Sequence, residues 1–277
     1  MPGLPIVVKI GGSTLGSHDT SLKDLVTLQK EGVDVVVVHG GGNVISQWMQ
    51  RQGLPPRFVN GLRVTDAPSL EIVVAVLTGL INKELVSQVH GLGGRAIGIS
   101  GIDGGLLEAH VADPELGYVG EISQVDSRPL KAILDTGYIP VVAPLAMQGH
   151  DGSDHSGGAL NINGDTVAGE LAHALDAARL IFLTDVGGIM DAGGRVIPRL
   201  DRRRAGLLSR SGVIQGGMIP KLAACLRALE RSPTADIIDG RRPGALLECV
   251  RGVASGTTII GEAALGSLSG NPPDSAR

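Results

Sequence analysis

The sequence contains little cysteine, no excess of basic residues and no long uninterrupted apolar run. Its two cysteines, Cys225 and Cys249, lie far apart and form neither a metal-binding pattern nor a disulfide framework. A formal net charge of −4 argues against nucleic acid as the main partner, because proteins that bind phosphate backbones usually carry a basic surface. No apolar run approaches a membrane span, and the N-terminus does not read as a leader. We therefore expect a soluble cytoplasmic protein with buried free thiols.

Glycine and aliphatic residues are abundant instead. The 277 residues include 42 glycines, and 43% are hydrophobic, which is enough to build a substantial core as one large α/β domain or two lobes. Short β-branched runs alternate with helical segments, the pattern of a parallel sheet covered by helices. An α/β protein is the expected fold class.

The first apolar run, Ile6 to Ile10, carries one cation and ends in two glycines, Gly11 and Gly12. An unpaired ammonium in a core is costly, so Lys9 needs an explanation. One interpretation is an edge strand whose lysine extends to water. The other is an anion site at the carboxyl edge of the sheet, where backbone N–H groups of the two glycines are exposed. On this segment alone both interpretations stay open.

A second apolar run, residues 33–38, leads directly into His39 and three glycines, and a helix is predicted from about Asn43 to Arg51. A strand, a glycine cluster and a helix together direct free backbone N–H groups at an anion. A tight turn that needs small residues would explain one such segment. Two strands that end in glycines favour a shared anion site.

Several other segments have an ordinary structural explanation. Residues 91–96 match a dinucleotide fingerprint loosely, but they precede a strand instead of opening a helix after one, so we reject that site. The polar stretch 147–159 has no common metal-ligand spacing and is expected to be a solvated loop. The basic run Arg199 to Arg204 is expected to be a solvated helix face. Arg63, taken by itself, would be a surface arginine.

Two polar segments in the second half are more informative. Asn161, Asn163 and Asp165 alternate before a helix, so they share one side of an extended chain or form a capping cluster. Lys221 falls in the first turn of a predicted helix. Because a cation there opposes the helix dipole, an anion is expected nearby.

Taken together, these segments resemble the amino-acid kinase family, and within it the branch that phosphorylates N-acetyl-L-glutamate. No single segment would suffice, but they occur in family order and cover residues 5 to 260. One departure is Gly164, where the family usually has alanine, and a loosened helix start is the expected consequence. The matching segments are VVKIGGS (7–13), VHGGG (38–42), NGLRVTD (60–66), NKELV (82–86), NINGD (161–165), TDVGGI (184–189) and GGMIPKL (216–222).

The resemblance implies a three-layer αβα sandwich of two lobes around one central, mostly parallel sheet. Residues 1–260 would form the kinase domain. About 1–175 would bind the amino-acid substrate and form a dimer interface, and about 176–260 would bind ATP. Residues 261–277, with few bulky groups and two prolines, are expected to be a disordered tail.

The implied reaction is transfer of the γ-phosphoryl group of ATP to the side-chain carboxylate of N-acetyl-L-glutamate, the second step of arginine biosynthesis. Mg²⁺ would arrive with ATP and be held by phosphate oxygens and water, with few or no protein ligands. By resemblance, Lys9 and Lys221 flank the transferred group and Asp165 holds both lysines. The expected substrate-binding residues are Gly41, Gly42, Arg63 and Asn161. The expected nucleotide-binding residues are Gly11, Gly12, Asp185, Val186, Gly187, Gly188, Ile189, Met190, Val213, Ile214 and Gln215.

Two alternatives remain open. One is a kinase of lysine biosynthesis that phosphorylates aminoadipate on an acidic carrier protein, which should show a basic patch around its substrate entrance. The other is a non-catalytic sensor of a nucleotide or an amino acid on the same fold, which could lose the lysines and Asp165.

Family members that arginine inhibits resemble one another in an extra helix before the first strand. Only residues 1–4 precede that strand here, so we expect an arginine-insensitive homodimer.

Overall fold

The computed structural model describes residues 3–11, 20–149, 158–191, 193–210, 214–253 and 256–261. The predicted alternation of strands and helices is present, with boundaries shifted by a few residues. The strands are β1 (Ile6–Ile10), β2 (Val35–His39), β3 (Phe58–Val59), β4 (Leu62–Arg63), β5 (Ala96–Ser100), β6 (Leu107–Val111), β7 (Gly120–Val125), β8 (Ile139–Ala143), β9 (Leu145–Gln148), β10 (Ala159–Asn161), β11 (Arg179–Thr184), β12 (Arg199–Asp201), β13 (Thr234–Asp239) and β14 (Thr257–Ile260).

The helical segments alternate with these strands along the chain, as predicted. They are α1 (Ser21–Lys30), α2 (Gly42–Arg51), α3 (Ala67–Val74), a π-helical segment (Ala75–Ile81), α4 (Asn82–Gly91), α5 (Arg128–Asp135), α6 (Gly164–Ala174), α7 (Arg202–Arg210), α8 (Met218–Ala228) and α9 (Ala245–Val250).

Eight strands form the central sheet in the order β12-β14-β13-β11-β1-β2-β8-β5. Every neighbouring pair is parallel except β13 with β14. Alternate residues of each strand enter separate cores on the two faces: Val7 packs with α6 and α8, whereas Val8 packs with α1 and α4. The predicted α/β class, with helices on both faces of a mostly parallel sheet, is confirmed.

A second sheet, β10-β9-β6-β7, contains an antiparallel pair of β6 and β7 and packs against the α6 side of the central sheet through Leu107, Ala109 and Leu160. A two-stranded hairpin, β3 with β4, turns through Asn60 and Gly61, both at positive φ. This turn requires a left-handed backbone at both positions, which asparagine and glycine tolerate.

Some sequence expectations need adjustment. The basic run Arg199 to Arg204 is divided between β12 and the first turn of α7, so it is not one helix face. Residues 91–96 join α4 to β5 and so precede a strand, which agrees with the rejection of a dinucleotide-binding site there. Both cysteines are free and buried, as predicted. Most of the polar stretch 147–159 and all of the expected tail beyond Gly261 lie outside the described residues.

One helical stretch, Ala67–Gly91, is long and apolar enough to cross a membrane when judged by length and composition alone, contrary to the expectation from the sequence. Its apolar side chains, however, form part of the core: Ile72, Val73, Val76, Leu77, Ile81, Leu85 and Val89 are buried. A buried core helix of a soluble domain passes the same test, and this packing favours that interpretation.

Candidate active site

The carboxyl ends of β1 and β2 meet at one edge of the central sheet, and a cavity of about 230 Å³ opens there. In open α/β sheets this edge is where ligands bind. The cavity combines glycine backbone, two cationic side chains, amides and an apolar wall. Its lining residues are Lys9, Gly40, Gly41, Gly42, Ile45, Phe58, Gly61, Leu62, Arg63, Leu77, Val119, Pro144, Asn161, Ile162, Asn163, Gly164 and Asp165.

Asp165 lies between two lysines that come from opposite directions. Lys9 Nζ is 2.7 Å from Asp165 Oδ1, and Lys221 Nζ donates to Asp165 Oδ2 at 3.0 Å. Asp165 Oδ1 has no partner of hydrogen-bond geometry, so the Lys9 contact is an ion pair without an aligned hydrogen bond. Lys9 and Asp165 are both buried, at 8% and 5% exposure. The buried ammonium therefore has a partner, and β1 lies between β11 and β2 inside the sheet, which excludes the edge-strand interpretation of Lys9.

Close packing of α6 against α8 brings Asp165 and Lys221 together. A Cβ at Gly169 would lie 2.9 Å from the backbone of Ala224, so the two helices touch where glycine faces alanine. Asp165 lies one turn before Gly169, and Lys221 lies one turn before Ala224. The start of α6 is fixed by Asn163, whose side chain accepts from the N–H groups of Asp165 and Thr166. The capping interpretation is therefore correct for Asn163.

The charges of this cluster do not balance. One carboxylate faces two ammonium groups, so the cluster carries a net positive charge. Like charges held this close repel unless an anion lies nearby. The cluster is therefore electrostatically suited to a further anion.

Arg63 is the other cation of the cavity and is 7% exposed, so it is no surface arginine. Its Nη2 donates to Gly42 O at 2.9 Å and to Ser46 Oγ at 2.8 Å, and its guanidinium stacks on Phe58. Burial lowers the pKa of the guanidinium, although arginine stays charged at neutral pH. Within the described part of the chain no carboxylate lies within 4.0 Å of Arg63. A buried cation without a carboxylate partner is suited to bind one.

The glycines around the cavity differ in what they offer. Helix α2 begins at Gly42 without a capping side chain, so its first N–H groups have no intrahelical partner. A Cβ at Gly41 would lie 2.5 Å from Ile81 Cδ1 and 2.7 Å from Leu77 Cδ2, so a larger residue would fit only if these two buried side chains shifted. Gly11 departs from expectation, because its N–H donates to Leu183 O at 3.2 Å. The parallel pairing of β1 with β11 continues one residue further than the sequence pattern indicated. Gly12 lies outside the described residues.

Asn161, at the end of β10, also reaches the cavity. Its Nδ2 donates to Thr65 Oγ1 at 3.2 Å, and Thr65 Oγ1 donates in turn to Arg63 O. The amide is thereby fixed against the segment that carries Arg63. The structure thus brings Asn161 and Arg63 to one wall of the cavity, as the family motifs indicated.

The loop after β11 holds the expected nucleotide-binding residues beside the end of β1. Asp185 and Met190 are exposed, and Val186 and Gly187 are half-buried. The side chain of Ile189 instead packs in the core, and its N–H donates to Thr257 Oγ1. A Cβ at Gly188 would lie 2.6 Å from the same oxygen. Ile214 is buried and Gln215 is exposed just before α8, whereas Val213 lies outside the described residues.

Some residues of the cavity were not found by sequence reasoning. Phe58, Leu77 and Ile162 form an apolar wall, and Thr65 supports Asn161. Thr65 and Ile162 lie inside recognised motifs and could have been noticed there. Leu77 could not, since only the position of the long helix brings it to the site.

The donors present fit a phosphate group better than a metal ion. Among the described residues, no three His, Cys, Asp or Glu side chains are grouped as a metal site. Lys9, the amino end of α2 and the guanidinium of Arg63, which has no carboxylate partner among the described residues, instead converge on one cavity, and Lys221 contacts the Asp165 that lines it. Cations and backbone N–H groups at a helix start are the usual ligands of phosphate in proteins.

Comparison with known proteins agrees with this chemistry. The sequence pattern described as "Amino acid kinase family" matches residues 5–239. A curated acetylglutamate kinase of Dehalococcoides mccartyi is 43% identical over 93% of this chain and 94% of that protein. One from a Nostoc species is 46% identical over 94% of this chain and 88% of that protein. A crystal structure of a Streptococcus mutans protein superposes with a TM-score of 0.79 at 29% identity, over 93% of this chain and 98% of that one.

Proposed function

The chain belongs to the amino acid kinase family, and we propose that it transfers the γ-phosphoryl group of ATP to the side-chain carboxylate of N-acetyl-L-glutamate. The product is N-acetyl-L-glutamyl 5-phosphate, and the reaction is the second step of arginine biosynthesis. Relatives that carry this activity in their names match nearly the whole chain. One observation supports the chemistry most directly: Asp165 lies between Lys9 and Lys221 in a cavity that also holds the uncompensated Arg63.

The acceptor needs no general base. A carboxylate has a pKa of about 4 and is already ionised at neutral pH. The difficulty is to bring this anion against a polyanionic phosphate, so catalysis depends on position and charge.

Lys9 and Lys221 are proposed to offset the negative charge that develops on the phosphoryl group in flight. Asp165 holds the two ammonium groups on either side of that position and takes no proton. The first N–H groups of α2, which begins at Gly42 beside the cavity, add hydrogen-bond donors.

Arg63 is proposed to bind the α-carboxylate of the substrate through its planar guanidinium. Asn161, fixed by Thr65, is placed to bind the same end of the substrate. Gly41 and Gly42 let the substrate approach the backbone closely. Leu77 and Ile162, both buried, give the cavity an apolar wall beside the proposed position of the reacting groups.

ATP supplies the phosphoryl group when bound, with Mg²⁺ held mainly by phosphate oxygens. The proposed nucleotide-binding residues are Asp185 to Met190 and Val213 to Gln215, together with Gly11 and Gly12. Of these, Ile189 acts through its backbone, because its side chain is buried in the core. The lobes are proposed at about residues 1–175 for the substrate and 176–260 for ATP.

The aminoadipate kinase remains the nearest alternative. The outer part of the cavity at the β3–β4 hairpin exposes two apolar side chains, Phe58 and Val59, with Arg57 as an exposed cation beside them. This largely apolar entrance favours a small substrate over an acidic carrier protein. The decisive assay mixes the protein with MgATP and each acid, and traps the acyl phosphate with hydroxylamine. Hydroxamate from N-acetylglutamate but not from aminoadipate is expected. Because the alternative kinase acts on carrier-linked aminoadipate, hydroxamate from N-acetylglutamate is the result that excludes it as the main activity. No hydroxamate from any free acid would favour either the sensor or the carrier-linked kinase.

A cytoplasmic homodimer is proposed as the working form. Strand β5 ends the described part of the central sheet and leaves one edge without a partner strand, with Ile97 exposed on it. Leu80, on the neighbouring π-helical segment, is also exposed. A two-fold contact across this edge would cover both side chains.

A further inference from the structure

His39 ends β2 and lies directly behind the glycines of the active site. Its ring is fully buried and takes no direct part in the chemistry proposed above. Nδ1 is 3.0 Å from Gly40 O, and Nε2 is 3.3 Å from Asn82 Nδ2. A carbonyl oxygen can only accept a hydrogen bond, so Nδ1 carries the proton and Nε2 accepts from Asn82.

Asn82 is held by the ends of two further strands. Its Nδ2 donates to Val141 O of β8 at 2.8 Å and approaches Ile99 O of β5 at 3.3 Å. Its Oδ1 accepts from Lys83 Nζ at 3.1 Å. A Cβ at Gly98 would lie 1.9 Å from that oxygen, so β5 makes room for the amide only by having glycine there.

The π-helical segment explains why Asn82 faces His39. Residues 75–81 form a wider turn than an α-helix, which rotates the residues that follow around the helix axis. Asn82 comes directly after this segment, and Leu77 and Ile81 within it pack against Gly41. One helical irregularity therefore supports both the ring of His39 and the glycine turn. Such irregularities are often found at functional sites.

The consequence concerns the peptide between Gly40 and Gly41. Gly40 N donates to Ile10 O of β1, and Gly40 O accepts from His39, so this part of the turn is fixed on both sides. In a trans peptide the carbonyl and the following N–H point in opposite directions. With the carbonyl turned towards the buried ring, the N–H of Gly41 points away from it, towards the cavity that the glycines line. No described residue accepts from this N–H.

We propose that His39, held in one tautomer by Asn82, is a positioning residue that orients the Gly41 N–H towards the transferred phosphoryl group. This role rests on the proposed kinase activity. The histidine does not exchange a proton during the reaction and does not touch the substrate. Its hydrogen bond to Gly40 O fixes the direction of the Gly41 N–H, because a glycine turn is too flexible to fix that direction by itself.

The electrostatic surroundings agree with a neutral ring. Burial, with smaller contributions from the positive charges of Lys9 and Lys83, lowers the pKa of His39 to about 4 against the opposite effect of the hydrogen bond to Gly40. At the pH of the cytoplasm the ring is therefore uncharged and can accept from Asn82.

The first test reads the tautomer in the wild-type protein and does not depend on activity. Nitrogen-15 NMR of histidine-labelled protein at pH 7 distinguishes the two neutral tautomers. A proton on Nδ1 of His39 is expected. A proton on Nε2 would leave Gly40 O without its donor and would overturn the inference.

The second test compares His39→Leu, His39→Asn and Asn82→Leu in the hydroxamate assay. Asparagine can place its amide near the position of Nδ1 and keep the bond to Gly40 O, whereas leucine cannot. We expect kcat to fall roughly 10- to 100-fold in both leucine variants, with little change in KM, because a misdirected donor loses part of what one oxyanion donor contributes. His39→Asn should recover most of the loss.

Val89→Ala is the matched control, since Val89 is buried in α4 about two helical turns beyond Asn82. An equal loss in His39→Asn and His39→Leu, or variants no worse than Val89→Ala, would overturn the positioning role. Wild-type protein that forms no hydroxamate would instead refute the proposed function, and the tautomer measurement would still decide the geometry.

Discussion

At the scale of single residues, the active site depends on one carboxylate that faces two ammonium groups. Asp165 is buried, and so is Lys9, hence the pair is screened little by solvent. A buried ion pair contributes little net stability, but removal of one partner leaves an uncompensated charge. The three side chains are therefore better explained by the anion they can bind than by the stability they add.

Lys9→Ala and Lys221→Ala are expected to lower kcat by roughly 10²–10³ while KM changes little. Their charges matter most where negative charge develops in the transition state. Asp165→Asn should also lower kcat, because the two ammonium groups are then free to move apart. Steady-state kinetics with saturating ATP measure both parameters. Lys131→Ala, on the exposed side of α5, is the control. Near-full kcat in Lys221→Ala would make that lysine a structural residue only.

The buried ring of His39 should make the free energy of unfolding depend on pH. Its pKa is lowered from 6.5 to about 4 in the folded state, so the folded protein binds fewer protons than the unfolded chain. The stabilisation is complete above pH 6.5 and is lost as the pH falls towards 4, by about 3 kcal/mol in all. Urea unfolding at several pH values measures this. The free energy of unfolding should fall more steeply with acid in the wild type than in His39→Asn. Parallel profiles would contradict the assignment.

At the scale of elements, α6 contains two glycines with opposite roles. A Cβ at Gly164 would make ordinary contacts, 3.4 Å from His39 O and 3.6 Å from Lys9 Cε, whereas one at Gly169 would lie 2.9 Å from the backbone of Ala224. The start of α6 is capped by Asn163, so the expected loosening at Gly164 is offset by that cap.

Gly164→Ala should therefore raise the free energy of unfolding by about 0.4–1 kcal/mol, because alanine restricts the unfolded chain and fits the helix. Gly169→Ala should lower it and should also reduce kcat, since it pushes α8 and Lys221 away from Asp165. Thermal unfolding and the hydroxamate assay on both variants check the contrast. Equal effects of the two substitutions on stability would contradict it.

Local pattern predicted most elements, since a strand that ends in glycines before a helix is encoded by neighbouring residues. Family motifs indicated that Lys9, Lys221 and Asp165 belong together. Features that depend on contacts between residues far apart in the sequence could not be predicted. The N–H of Gly11 donates to Leu183 O of β11, and the side chain of Ile189 packs in the core. The π-helical segment was missed as well, because its apolar residues are compatible with an ordinary helix.

At the scale of the whole molecule, the unpaired edge of β5 bears on assembly. Light scattering at micromolar concentration should give twice the mass of the chain. A charged residue at Ile97, Ile97→Lys, should shift the protein towards the monomer, since it would place like charges across a two-fold contact. Leu207→Lys, on exposed α7 in the other half of the chain, is the control. A dimer that persists in Ile97→Lys would place the interface elsewhere.

The charges that line the cavity determine which acid it accepts. Asp165 is the sole carboxylate among the described residues that line the cavity, and both of its oxygens already face lysines. A free α-ammonium group would therefore enter without a counter-anion, next to Arg63, at a considerable cost in desolvation. Acetylation removes that charge and keeps the α-carboxylate that Arg63 can bind. Charge balance thus favours N-acetylglutamate over glutamate.

The measurement that tests this account most directly is the ratio of kcat/KM for N-acetyl-L-glutamate and L-glutamate under identical MgATP. We expect a ratio of roughly 10³ or more, because an unpaired buried charge costs several kcal/mol and each 1.4 kcal/mol is a factor of ten. Equal values for the two acids would contradict the central claim that the cavity is built for a substrate without an α-ammonium group.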